Sequence, residues 1–109
     1  MMAFAPTSNA EDWRETVEVT DENGAAFDLT GYTIELELVD MKGWQQLLGG
    51  TQTGHITIAA PGFSFVFPAS QMRELPAATY SVNCRMTAPD GAIIQPFSSH
   101  IAISEGGFR

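Results

Sequence analysis

His55, His100, Cys84 and a scatter of carboxylates are the residues in this chain whose types could do chemistry. His55 opens "HITIAA" and His100 sits in "SSHIAIS", each on the outward row of an alternating segment. Neither has a cysteine or carboxylate at ligand spacing, so both read as surface histidines; a metal contact or a pH-sensitive interface is the sharper alternative. Cys84 shares an inward row with Val82 and Met86. There a thiol behaves as a small hydrophobe, whereas a nucleophile needs an electropositive, partly open setting. A lone cysteine also excludes an intrachain disulfide and half of a Cys-based metal site.

The carboxylates invite two readings. "DENG", residues 21–24, imitates the start of a calcium loop through Asp21 and Asn23. Its glycine comes at the fourth position instead of the sixth, and Tyr32 stands at the twelfth, where the loop needs Glu. A plain turn, with Gly24 free to take positive φ, accounts for the same residues. Glu18, Glu35 and Glu37 fall on outward rows, where ionised side chains stay wet; acid–base catalysis needs one carboxylate desolvated. Ser99 and the other serines lack a Gly-x-Ser-x-Gly elbow, and no phosphate loop or His-Glu-x-x-His is present. No catalytic, cofactor-binding or metal-ligating residue is assigned, and the chain reads as a non-enzyme that takes no cofactor. Trp13 reads as core or rim. Trp44, with Leu47 and Leu48 nearby, lies in a glycine-rich stretch and reads as either a lid or a contact surface.

The elements that hold these residues are strands. In "DLTGYTIELELVD", 28–40, Tyr32, Ile34, Leu36 and Leu38 alternate with Thr33, Glu35, Glu37 and Val39. That pattern is a strand with one buried and one wet face. "WRETVEVT", 13–20, puts Trp13, Val17 and Val19 inward, with Glu15 breaking the inner row, as suits an edge strand. Phe27 marks a short strand or a plug. "HITIAA" (Ile56 and Ile58 inward), "FSFVF" (Phe63, Phe65, Phe67) and "ATYSVNCRMT" (Tyr80, Val82, Cys84, Met86) continue the series. The last strand runs from about Ala92 to Ser104, with Phe97, Ile101 and Ile103 inward and Pro96 interrupting its ladder. "APDG", 88–91, is a tight turn. Residues 41–54 hold Gly43, Gly49, Gly50 and Gly54 and read as a long connection, with a short strand near Trp44 to Leu48. "PASQMREL" is the sole helix candidate, near residues 69–75, of about two turns at most.

Short strands with a turn every ten residues or so predict an all-β, antiparallel sandwich or barrel. "LPAATY", with Leu75 and Tyr80 where a loop enters a late core strand, has the setting of a tyrosine corner. The reading is therefore a single immunoglobulin-like β-sandwich over residues 12–104, a flexible N-terminal arm over 1–11 and a C-terminal tail over 105–109. The likeness is architectural, since the Cys…Trp…Cys spacing of antibody domains is absent.

The bulk numbers agree with one domain. The chain has 109 residues and is 44% hydrophobic, enough for one core. Five basic against thirteen acidic residues give a net charge of −8. That balance argues against nucleic acid and against an anionic membrane, both of which call for clustered Lys and Arg. No apolar run reaches the roughly 18–20 residues of a membrane span. The N-terminus has no basic residue before Arg14 and no long apolar core, so it does not read as a secretory signal; folding in a cytoplasm is the expectation.

"VTDENG" (19–24), "DLTGYT" (28–33), "LPAATY" (75–80) and "PDG" (89–91) occur in an order and spacing that resembles small phage and prophage tail proteins. The likeness is to the N-terminal immunoglobulin-like domain of phage baseplate upper proteins, and covers roughly residues 13–104. Ala78 stands where that family usually has a turn glycine, and Asn83-Cys84 replaces a frequent aromatic-acidic step. The family's receptor-binding-protein carrier segment is not matched here. The resemblance implies a virion structural protein of a tail, baseplate or fibre connection, without catalytic residues. Its partners would be other virion proteins and copies of itself, as a trimer or hexamer. Phe4, Trp44, Leu47, Leu48 and Phe108 are the candidate partner contacts. The alternatives are a carbohydrate- or ligand-binding sandwich stacking on Trp44 and Trp13, and a capsid-decorating protein.

Overall fold

Side chains that alternate along a strand must find a second layer to bury the apolar row, and the chain supplies two sheets to do so. In the computed structural model, which describes residues 4–106, the strands are β1 Thr7–Ser8, β2 Trp13–Glu18, β3 Thr33–Val39, β4 Gln45–Gly50 and β5 Ile56–Ala59. They continue as β6 Gly62–Phe67, β7 Ala78–Thr87, β8 Ile93–Ile94 and β9 Ser98–Ser104, with one short helix, α1, at Ala69–Met72. The larger sheet has the order β1-β9-β7-β3-β4, with β8 also on β7; the smaller is β2-β6-β5. All pairs are antiparallel except β1 with β9.

The core lies between the sheets. Ile34, Leu36 and Leu38 of β3, Tyr80, Val82, Cys84 and Met86 of β7, and Ile101 and Ile103 of β9 face Trp13, Val17, Ile56, Phe63, Phe65 and Phe67 of the smaller sheet. The protein is an all-β sandwich, as the alternation predicts. Trp13 lies over Phe67 (5.7 Å between centroids, 21° between planes) and meets Phe65 edge-on at 4.8 Å. Glu15 does not merely spoil the inner row: its Oε2 accepts from Trp13 Nε1 at 3.3 Å, supplying the partner a buried indole needs. Tyr80 donates to Pro76 O at 2.5 Å beside buried Leu75, which is the phenol-to-backbone bond that "LPAATY" predicts. "DENG" is a turn, with Asp21 Oδ1 accepting from Asn23 N and Ala25 N and Gly24 at φ 83°. The helix is a single turn, shorter than the two turns the sequence allows.

Three stretches differ from the sequence reading. Residues 41–54 do hold the short strand read near Trp44 to Leu48, at Gln45–Gly50, but around it they are ordered and not a loose connection. Asp40 closes a hairpin by accepting from Lys42 N (2.9 Å) and Trp44 N (3.0 Å), and β4 then pairs along β3. Gly49 is there for close approach: a Cβ would lie 2.6 Å from Phe67 and 2.7 Å from His55. Second, residues 4–10 are not a free arm. Phe4 packs edge-on to Trp13 (5.5 Å), Phe65 (6.1 Å) and Phe97 (6.0 Å), and β1 lies parallel on Ile103–Ser104. Third, the tail is tied down through Gly106, whose N–H donates to Asn9 Oδ1 at 2.9 Å. Asn9 is fully buried and also donates from Nδ2 to Leu75 O at 2.8 Å, so one amide joins both ends to the loop before β7. Small polar residues and a proline hide this docking from a periodicity argument.

Candidate functional site

The outward face of β3 and β7 gathers the chain's densest polar constellation. Outward residues opposite one another in the register share a face, which brings Glu35 to Arg85 and Glu37 to Asn83, with Leu48 beyond Glu37 on β4. Arg85 donates from Nη2 (2.6 Å) and Nε (3.1 Å) to Glu35 Oε1. Glu37 accepts from Gln45 Nε2 at 2.8 Å and from Asn83 Nδ2 at 3.0 Å, and Asn83 Oδ1 accepts from Ser98 Oγ at 2.8 Å. Gln95 closes one side, and the groove between these residues holds about 180 Å³. Leu48 lines this groove, and among the described residues it is one of the large apolar side chains left exposed, with Met41 (77% accessible), Trp44 (68%), Ile93 and Ile94.

Each groove carboxylate has a cross-strand partner, and Glu35 with Arg85 forms a partly exposed ion pair of the kind worth ~0–1 kcal/mol. Glu18 is exposed on β2, away from both. Among the described residues, every buried side-chain nitrogen and oxygen has a hydrogen-bond partner, and no group of three or more His, Cys, Asp or Glu could hold a metal ion. Asp40 at the hairpin is held below the usual carboxylate range by the Trp44 backbone N–H, with help from Lys42 and Gln46. Burial pushes the Cys84 thiol up to about 12, the opposite of what a nucleophile needs.

Two histidines part company. His100 is exposed on β9, as its row predicts. His55 is not a solvated surface residue. Its ring lies 4.9 Å from Phe67, with Nδ1 2.6 Å from Thr53 Oγ1 and Nε2 2.7 Å from Gln71 Oε1. The glutamine carbonyl requires a hydrogen on Nε2, so the ring clamps α1 to the turn before β5. Its partners come from a turn and a helix that strand alternation does not address.

The candidate contacts also divide. Trp44 and Leu48 are exposed, on the β3–β4 hairpin and β4. Leu47 points inward and packs half-buried against the core. Phe4 fills its own domain's aromatic cluster, and Trp13 is 2% exposed, so Trp13 offers no stacking platform. Phe108 lies outside the described residues. Arg85, Gln45 and Gln95, which complete the groove, escaped the sequence reading. The partner row Arg85–Glu35 becomes visible only when the β3–β7 register is known.

No protein-family model and no curated protein matches the chain. Among solved structures it is similar to the crystal structure of CopC from Methylosinus trichosporium OB3b, with a TM-score of 0.51 and 15% identity over 96% of this chain and 88% of that one. Identity at that level speaks for the shared sandwich fold and carries no activity across.

Proposed function

We propose that this chain is a non-enzymatic structural module of a phage or prophage particle, acting through protein–protein contacts. The observation that carries the reading is the contrast on the larger sheet. Polar side chains there are engaged with one another, while Met41, Trp44, Leu48, Ile93 and Ile94 are left to solvent. Large apolar side chains left exposed beside polar ones mark contact surfaces more than catalytic ones. The immunoglobulin-like reading is supported by the strand order. β4-β3-β7-β9 opposite β2-β6-β5 follows the C′CFG and BED sheets of such sandwiches, with the tyrosine corner entering β7. The ordered "VTDENG", "DLTGYT", "LPAATY" and "PDG" motifs add the tail-protein resemblance.

Peptide mass spectrometry of intact particles tests it. Particles released by DNA-damage induction of the bacterium that encodes the chain are banded by density and digested. The chain is expected at a fixed copy ratio to the other tail proteins. Its absence from intact particles, with full recovery in the cytosol, would overturn the reading.

The groove favours one second reading, a carbohydrate- or ligand-binding sandwich. Its carboxylates, amides and guanidinium supply the convergent polar groups of a small-molecule site, and the neighbouring Gln45 follows the exposed Trp44 in the chain. With Trp13 buried, Trp44 is the reporter. A saturable change in its fluorescence on titration with host-surface glycans would favour this reading, and a flat titration would remove it.

A further inference from the structure

We propose that the β4 edge of the larger sheet pairs antiparallel with β4 of a second copy of this chain, joining two sandwiches through one continuous sheet. The proposal rests on the assembly reading above and names its contact surface. A sheet edge presents unpaired N–H and C=O groups and templates another strand unless it is very short, charged or broken by proline. The two sheets end in β1, β4, β2 and β5. β1 has two residues and follows Pro6; β5 has four and is followed by Pro61. β2 carries Arg14, Glu15 and Glu18. β4 has six residues and no charge, and no charged residue stands anywhere from Gly43 to Gly54.

Ladder alternation shows what β4 leaves open. Thr51 N donates to Ile34 O at 2.9 Å, so the residues in step with Thr51, namely Gly49 and Leu47, turn their backbone groups toward β3. Gly50 turns the other way, and its own turn closes it. Its N–H donates to Thr53 Oγ1 at 2.9 Å, and its oxygen accepts from His55 N at 3.1 Å and Thr53 N at 3.3 Å. Leu48 turns the same way as Gly50, one repeat further from that turn, so its N–H and C=O face out of the sheet. The register shift between Leu38 and Val39 shortens the regular ladder on the other side and centres the open edge on Leu48. The Leu48 side chain is itself 46% exposed.

Charge selects the occupant. With a net charge of −8, copies of this chain repel one another over most of their surface. Two-fold docking of β4 on β4 sets the uncharged stretch against itself, where that repulsion is least, and lets the exposed Leu48 of each copy cover the other. A basic partner strand would be drawn to the acidic remainder of the surface and not to this neutral strip. Two strands this short bury less than the ~1,200 Å² of a standard interface, so the pairing is weak and follows concentration.

Light scattering of the full chain from micromolar to millimolar concentration, with amide hydrogen exchange at Leu48, tests the pairing. The weight-average mass is expected to rise toward double and the Leu48 amide to exchange more slowly in step. Leu48→Lys, an exposed position whose thermal unfolding should match the parent chain, is expected to keep the mass of one chain. A single-chain mass throughout would overturn the proposal. So would a mass increase that Leu48→Lys leaves unchanged, with Leu48 exchange independent of concentration. Neither result touches the virion reading, which particle mass spectrometry decides separately.

Discussion

Replacing Gly49 by alanine adds one methyl group at the seam between β4, the smaller sheet and the His55 clamp. The new Cβ would stand 2.6 Å and 2.8 Å from Phe67 ring carbons and 2.7 Å from His55 Cγ. Carbon atoms pack at about 3.5–4.0 Å, so the neighbours must give by about 1 Å. Phe67 is fully buried, with Trp13 stacked on it and Phe65 against its edge, and has nowhere to turn. His55 must swing instead, loosening its contacts to Thr53 and Gln71. Overpacking costs ~1–3 kcal/mol and the two weakened hydrogen bonds add ~1–3 kcal/mol, so the expected loss is about 2–6 kcal/mol. At roughly 4 °C per kcal/mol for a domain of this size, Tm should fall by roughly 8–24 °C. Urea and thermal unfolding monitored by circular dichroism measure it. In a His55→Ala background, where one obstacle is gone, the same substitution should cost about 1 kcal/mol less. A loss under about 0.5 kcal/mol, or equal losses in both backgrounds, would refute the close-approach role of Gly49.

Three further outcomes are expected. Leu36, buried at 0% exposure in β3, should cost about 2–5 kcal/mol when cut to alanine, read from the urea midpoint; a loss under about 0.5 kcal/mol would mean the strand faces are reversed. Asn9→Ala strands Leu75 O and Gly106 N without their amide partner and should cost about 1–3 kcal/mol in the same assay. Cys84 gives a pH signature. Its thiol is pushed from 9.0 to about 12 by burial, so above pH 9.0 the unfolded chain loses a proton that the folded chain keeps. Stability is then constant with respect to this group below pH 9.0 and falls as pH rises toward about 12, and Cys84→Ala should remove that slope from unfolding measured at stepped pH.

Alternation made much of the fold legible. The inward rows of β3, β6 and β7 read directly from the sequence because a two-residue period has one solution when one face is dry. Turn chemistry was equally plain at "DENG" and "APDG", where Asp21 and Asp90 cap backbone N–H groups of the next few residues. A short strand near Trp44 to Leu48 was legible, but the extent of β4 was obscured because "QQLLGG" has no alternation. Gly49 serves close contact with Phe67 and His55, and Gly50 with the Ile34 backbone, which only the fold brings to it. The docked N-terminal segment was obscured for a related reason: Phe4 alone marks it, and what it packs against comes from three separate strands and loops.

The sequence by itself determined which side chains could be dry, where the chain could turn, and the net charge of −8. Those are properties of neighbours within a few residues and of composition. Register and sheet order were decided only in three dimensions. The tertiary structure brought Glu35 to Arg85 across fifty residues of chain, turned Trp13 and Phe4 inward and left Trp44 and Leu48 outside. It also used the buried amide of Asn9 to tie both ends of the chain to one loop. Such pairings depend on which strands become neighbours, and that choice is made by the packing energy of the whole core, which no local pattern encodes.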